Sequence, residues 1–165
     1  MVVLIPLTML TIFSCGGEEA SGDVEFVIAN GTEPATIDPH KASGVPEHKI
    51  IMALFEGLVR NNPKTTRAEA GVAKSWDVDE TGTIYTMHLR EDAVWSDGVA
   101  ITAQTVRDSW LRILNPETAA GYAWFPAMFL KGAQAYNSGE GNAEDVAVKA
   151  IDNYTFQFET VGPMP

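Results

Sequence analysis

The sequence predicts an α+β fold with mostly antiparallel strand pairing, and two observations predict it. Some segments repeat apolar residues at four-residue spacing, others alternate apolar and polar positions, and the two kinds are interspersed. The alternating segments are joined by short turns rich in Asp, Asn and Gly, which suit hairpins better than the long crossovers of parallel sheets. The 165 residues, 45% of them hydrophobic, suffice for one core and exclude disorder of the whole chain. Eleven Lys and Arg stand against 22 Asp and Glu, a net charge of −11. No basic cluster could neutralise phosphates, so nucleic acid is excluded as a partner.

The first segment reads as an address. Met1 to Ser14 is uncharged and strongly apolar. As a helix it would reach only about 20 Å, short of a bilayer's roughly 30 Å of hydrocarbon. Its length suits the apolar region of a signal peptide, although no Lys or Arg precedes it. Ile12-Phe13-Ser14-Cys15 resembles a bacterial lipobox, which implies lipidation of Cys15 and a lipid-anchored, exported protein on the periplasmic or cell-surface side. The alternative is an incidental cysteine. Residues 15–23, rich in Gly and Glu, then form a flexible tether. A single cysteine allows no intramolecular disulfide.

The elements follow in order. Val24–Ala29 is a short β-branched run and reads as a strand, broken by the turn-rich Asn30-Gly31-Thr32-Glu33-Pro34. A Pro-bounded loop then runs to Val45. Pro46 opens a helix whose stripe of Ile50, Leu54 and Leu58, with Ile51 and Phe55 alongside, is expected to be buried. Gly57 and Asn61-Asn62-Pro63 end it. Lys74–Val78 and Thr83–Leu89 form a hairpin about Asp79-Glu80-Thr81-Gly82, with Tyr85, Met87 and Leu89 on one face. Ala93–Trp95 and Val99–Ile101 flank a turn at Asp97-Gly98. Thr102 is a candidate N-cap for a helix with Val106, Trp110 and Ile113 inward, stopped by Asn115-Pro116. Pro126 is expected to open one more helix, continuous through Tyr136 to Ser138-Gly139. A last hairpin pairs Val146–Ala150 with Tyr154–Phe158, whose three aromatic rings share a face. The four tryptophans are expected to lie in the core or to cover a face.

Catalytic signatures are lacking. His40, His48 and His88 are isolated in sequence, and no zinc spacing, Walker loop, dinucleotide fingerprint or nucleophile elbow occurs. Asp38 and His40 read as turn hydrogen bonding, and the acidic groups at 77–80 and 91–92 as solvated turns. No cofactor or metal is implied, and the chain is not read as an enzyme.

Several words are specific when taken together. They are Asn30 to His40 with Ser43-Gly44-Val45-Pro46-Glu47, Leu54-Phe55-Glu56-Gly57-Leu58, Gly71 to Trp76, Tyr85 to Arg90 and Trp95-Ser96-Asp97-Gly98. Thr102-Ala103, Ser109-Trp110, Asn115 to Ala119 and Val148 to Asp152 continue the series in the same order. The chain from Val24 to Glu159 thereby resembles the oligopeptide-binding proteins that serve ABC importers, extracellular solute-binding protein family 5.

The resemblance implies a type II periplasmic-binding-protein-like fold of the large peptide-binding class, here incomplete. Residues 24–56 would supply the first strand, loop and helix of lobe one, and residues 57–165 most of an additional α+β domain. The second lobe, with the acid that grips the peptide's amino group, would be missing. Short peptides, an ABC permease with its ATPase subunits and, through the anchor, a membrane are the implied partners of a protein expected to be monomeric at full length.

The same resemblance makes Ser43, Gly44, Val45 and Tyr122 candidate ligand-binding residues. From the residues alone the first three are a structural loop and Tyr122 is ordinary packing. Ser43 stands where an acidic residue occurs in the family, which leaves charge preference at that point open. Two other readings stay open: a surface lipoprotein with an adhesive or structural role, or a same-fold receptor for a nickel complex or an oligosaccharide. The end of the chain directly after a strand adds the expectation of exposed apolar surface.

Overall fold

The structure, a computed structural model, describes residues 29–164. The apolar leader, Cys15, the tether and the predicted strand up to Ile28 lie outside the described residues. Ala29 itself is not in a strand.

A four-stranded antiparallel sheet organises the fold, in the order β3 (Ala73–Val78), β4 (Ile84–Leu89), β6 (Thr155–Glu159), β5 (Val148–Ala150). Alternation decides which face is covered. Trp76 pairs with Met87, Met87 with Phe156, and Tyr85 with Phe158, so these side chains share the inner face. Tyr85 and Phe158 stack across the strands with centroids 4.9 Å apart. The outer face is polar, with His88 Nε2 2.8 Å from Asp77 and Gln157 donating to Thr86. The turn between β3 and β4 is built on Asp79, whose carboxylate accepts from the Thr83 and Ile84 amides and the Thr81 hydroxyl. Those donors push its pKa down to about 2.

Helix α2 (Ala103–Leu114) covers the inner face. Thr102 caps it, accepting from the Thr105 amide while the Thr105 hydroxyl accepts from the Thr102 amide. Trp110 lies edge-on to Phe156 at 5.2 Å and tilted against Phe158 at 5.0 Å. Phe156, Leu89, Leu114, Leu130 and Val148 are the largest side chains fully buried around this contact. The predicted turn at Asp97-Gly98 forms as expected, closed by the Val94–Ala100 bridge.

Four expectations are corrected. Helix α1 (Val45–Leu54) stops before Leu58, and its apolar stripe is not buried: Leu54 is 62% and Phe55 39% exposed, and Ile50 and Ile51 are only half-buried. Its one buried residue is Glu47. Leu58 leaves the helix because the carbonyls of Gly57 and Leu58 accept from the Val72 and Ala73 amides, where β3 begins. The chain then forms β1 (Val59–Asn61), paired with β2 (Ala68–Ala70), a ribbon too short to show periodicity.

The helix expected from Pro126 to Tyr136 is two helices, α3 (Trp124–Phe129) and α4 (Ala133–Asn137). Between them Leu130 bridges Thr160, Lys131 exchanges backbone hydrogen bonds with Glu159 and Ala147, and Gly132 turns through φ +80°. A Cβ at Gly132 would collide with the Asp145 carbonyl, so the break depends on glycine. Finally, Trp76 and Trp110 pack on the core, but Trp95 and Trp124 are 40% and 57% exposed.

The ring contacts beneath α2 predict a large and local cost of truncation. Phe156→Ala should lower unfolding free energy by about 3–5 kcal/mol, whereas exposed Trp124→Ala should change it by less than about 0.5 kcal/mol, both read from denaturant titrations of the folded chain.

Candidate functional site

The loop before α1 is held at both ends. Upstream, the Asp38 carbonyl accepts from the Lys41 and Ala42 amides, and its carboxylate accepts from the His40 amide at 3.0 Å. Arg112, in the last turn of α2, donates to both carboxylate oxygens of Asp38, at 2.9 and 2.6 Å. The same guanidinium meets His40 Nδ1, and His40 Nε2 lies 3.1 Å from the Ser109 hydroxyl. Downstream, Gly44 is the N-cap of α1, and Pro46 stands in its first turn. The Glu47 carboxylate folds back to accept from the Ala35 amide at 2.7 Å. A Cβ on Gly44 would collide with that carboxylate, so glycine here makes room for Glu47.

These contacts set the electrostatics. Arg112 holds the Asp38 carboxyl well below the usual carboxylate range, and Asp38 raises Arg112 in return. Burial and then Arg112 lower the His40 pKa, with Asp38 opposing. The Ala35 amide lowers that of Glu47.

Between the two anchors the predicted contact residues stand open. Ser43 is exposed, Val45 is 68% exposed and Gly44 is half-buried. Tyr122, 47% exposed, begins a chain of rings with Trp124 at 6.3 Å and Phe125 beyond it. Loop and tyrosine are connected to the C-terminal end of α2 in different ways. One is clasped to Arg112, and the other follows the 3-10 turn Pro116–Thr118 that leaves the helix. No hydrogen bond among the described residues joins them directly.

A cleft of about 610 Å³ lies alongside, walled by Ile37, Phe55, Leu58, Trp95, Ile101 and Trp110 with the Arg90–Glu56 ion pair. None of the four predicted contact residues lines it. Sequence reasoning treated Asp38 and His40 as a local turn and missed Arg112 and Ser109. Their only signal is three-residue spacing on one helix face, which names no partner. Among the described residues no group of three or more His, Cys, Asp or Glu could hold a metal ion. None of the described helices is long and apolar enough to cross a membrane.

An exposed loop and an open row of aromatic rings thus stand beside the sheet. The profile of bacterial extracellular solute-binding proteins, family 5 (its middle portion), matches residues 67–165. The periplasmic oligopeptide-binding protein OppA of Haemophilus influenzae is 36% identical over 150 residues, covering 90% of this chain and 28% of that protein. The periplasmic murein peptide-binding protein MppA of Escherichia coli is 40% identical over 134 residues, covering 81% and 25%. The crystal structure of Haemophilus influenzae OppA in complex with RPPGFSPFR superimposes with a TM-score of 0.76 at 36% identity, covering 82% of this chain and 26% of that one. The chain therefore belongs to the bacterial extracellular solute-binding proteins of family 5, a non-enzymatic family. It spans about a quarter of the length of the relatives it matches.

The Asp38–Arg112 pair predicts an acid-side dependence. A carboxyl depressed in the folded state stabilises above its ordinary value of 3.8, and that stability is lost as pH falls below it. Wild-type melting temperature should therefore begin to fall below about pH 5 and go on falling steeply below 3.8. Asp38→Asn should lower it at neutral pH and make the fall shallower, though Asp79 and Glu47 retain part of it.

Proposed function

We propose that this chain is the N-terminal part of a two-lobed receptor that binds short peptides and delivers them to an ABC permease. The observation that carries this reading is the segment Ser43–Val45, exposed at Ser43 and Val45 and anchored on both sides, in a chain 36% identical to a periplasmic oligopeptide-binding protein. A receptor for peptides of varied sequence must satisfy backbone N–H and C=O groups, because leaving each unpaired in a buried site costs about 1–3 kcal/mol. The segment Ser43-Gly44, ahead of the first helical residue Val45, can offer main-chain groups to a guest irrespective of its side chains. Tyr122 offers a ring to pack against and a hydroxyl to bond.

In this reading residues 24–56 contribute to lobe one and residues 57–165 to the additional domain. A second lobe beyond this sequence closes over the peptide. Cys15 carries the lipid anchor, which places the protein outside the cytoplasmic membrane beside its permease and ATPase subunits. The full-length receptor acts as a monomer.

Calorimetric titration with tri- to pentapeptides tests the proposal. This chain alone should bind more weakly than roughly micromolar, and a product extended to two lobes should bind at or below that concentration. In the extended product Tyr122→Ala should weaken binding. Tight binding by the 165-residue chain alone, or none by the extended product, overturns the reading.

A further inference from the structure

His40 occupies a position that fixes its proton. The Arg112 guanidinium offers donors and no acceptor, so the facing Nδ1 must carry the lone pair. Nε2 then bears the hydrogen and donates to the Ser109 hydroxyl. The contact is complete only with a neutral imidazole. A proton on Nδ1 would replace an accepted hydrogen bond with an N–H pointed at a cation.

The charged groups facing the ring are few. Arg112 and the uncharged Ser109 come from α2, and Asp38 comes from the ring's own loop. Asp38 can offset the added charge only in part, because both of its oxygens are already taken by Arg112. The amides of His40, Lys41 and Ala42 all end on Asp38, so the backbone leading into Ser43 depends on where Asp38 is held.

We propose that Arg112 is a positioning residue: through Asp38 and a neutral His40 it clasps the loop carrying Ser43–Val45 to α2, and protonation of His40 loosens that clasp. The part concerning ligand rests on the reading of Ser43–Val45 as peptide-contacting. Burial and Arg112 both press the His40 pKa below its ordinary 6.5. The clasped state therefore prevails at neutral pH and weakens as pH falls below that value.

Amide exchange and ring-nitrogen NMR on this chain test the clasp without any ligand. Protection factors at His40, Lys41 and Ala42 should drop by about tenfold between neutral and mildly acidic pH, and His40 should show the Nε2–H tautomer at neutral pH. Arg112→Ala should remove that protection at both pH values and move the His40 midpoint up toward 6.5. Arg112→Lys should restore part of it through a single contact with Asp38. Met87 and Phe156 amides should stay protected throughout and report an intact sheet. An Nδ1–H tautomer, or loop amides indifferent to Arg112→Ala, overturns the proposal.

Peptide titration of the two-lobed product separates this from the reading beneath it. No binding by the wild type overturns the proposed function and leaves the clasp standing. Binding that Arg112→Ala leaves unweakened overturns the ligand-positioning role alone.

Discussion

The packing of α2 on the inner face of the sheet is the contact on which the other parts depend. Trp110 inserts against Phe156 and Phe158, and those rings are in turn placed by the register of β4 and β6. Helical geometry then does a second thing at no added cost. With Trp110 and Ile113 packed on the core, Ser109 and Arg112, three residues apart, are left to face the loop that precedes α1. One helix thus joins the hydrophobic core to the ion pair that holds the candidate binding loop.

That arrangement explains an uneven distribution of order and exposure. Between them the sheet and α2 bury Leu89, Phe156 and Leu114 and half-bury Trp110 and Phe158, while α1 buries only Glu47 and leaves Val45, Met52 and Leu54 open. Loop 35–47 is therefore held by polar contacts at defined points: Arg112 with Asp38, His40 with Ser109, and Glu47 with the Ala35 amide. Such contacts are directional and respond to protonation, whereas the ring cluster beneath α2 does not. A binding surface placed on this loop has a firm base and an adjustable attachment.

Membership of the solute-binding family is compatible with the open surfaces of the described residues. The relatives are roughly three times the length of this chain. Val45, Leu54 and Tyr122 are large side chains left exposed. The ~610 Å³ cleft is apolar on most walls and adjoins the clasp through Ile37 and Ser109, yet it contains none of the residues singled out for ligand contact.

Much of the fold was legible in the residues themselves, because alternation and capping are local. The β3–β4 hairpin, the Thr102 cap, the stop at Asn115-Pro116 and the shared face of Tyr85, Met87 and Leu89 all follow from neighbours in sequence. The family resemblance likewise singles out Ser43–Val45 and Tyr122 as candidates without any coordinates. What tertiary structure alone decided was each feature that depends on a distant partner. Helix α1 ends early because β3 claims the carbonyls of Gly57 and Leu58. The helix after Trp124 breaks because the Lys131 backbone pairs with Glu159 of β6 on one side and with Ala147 on the other. Asp38 and His40 are more than a turn because Arg112, more than seventy residues away, closes on them. Periodicity carries only the information of one segment, and hydrogen bonds between segments are written in none of them singly.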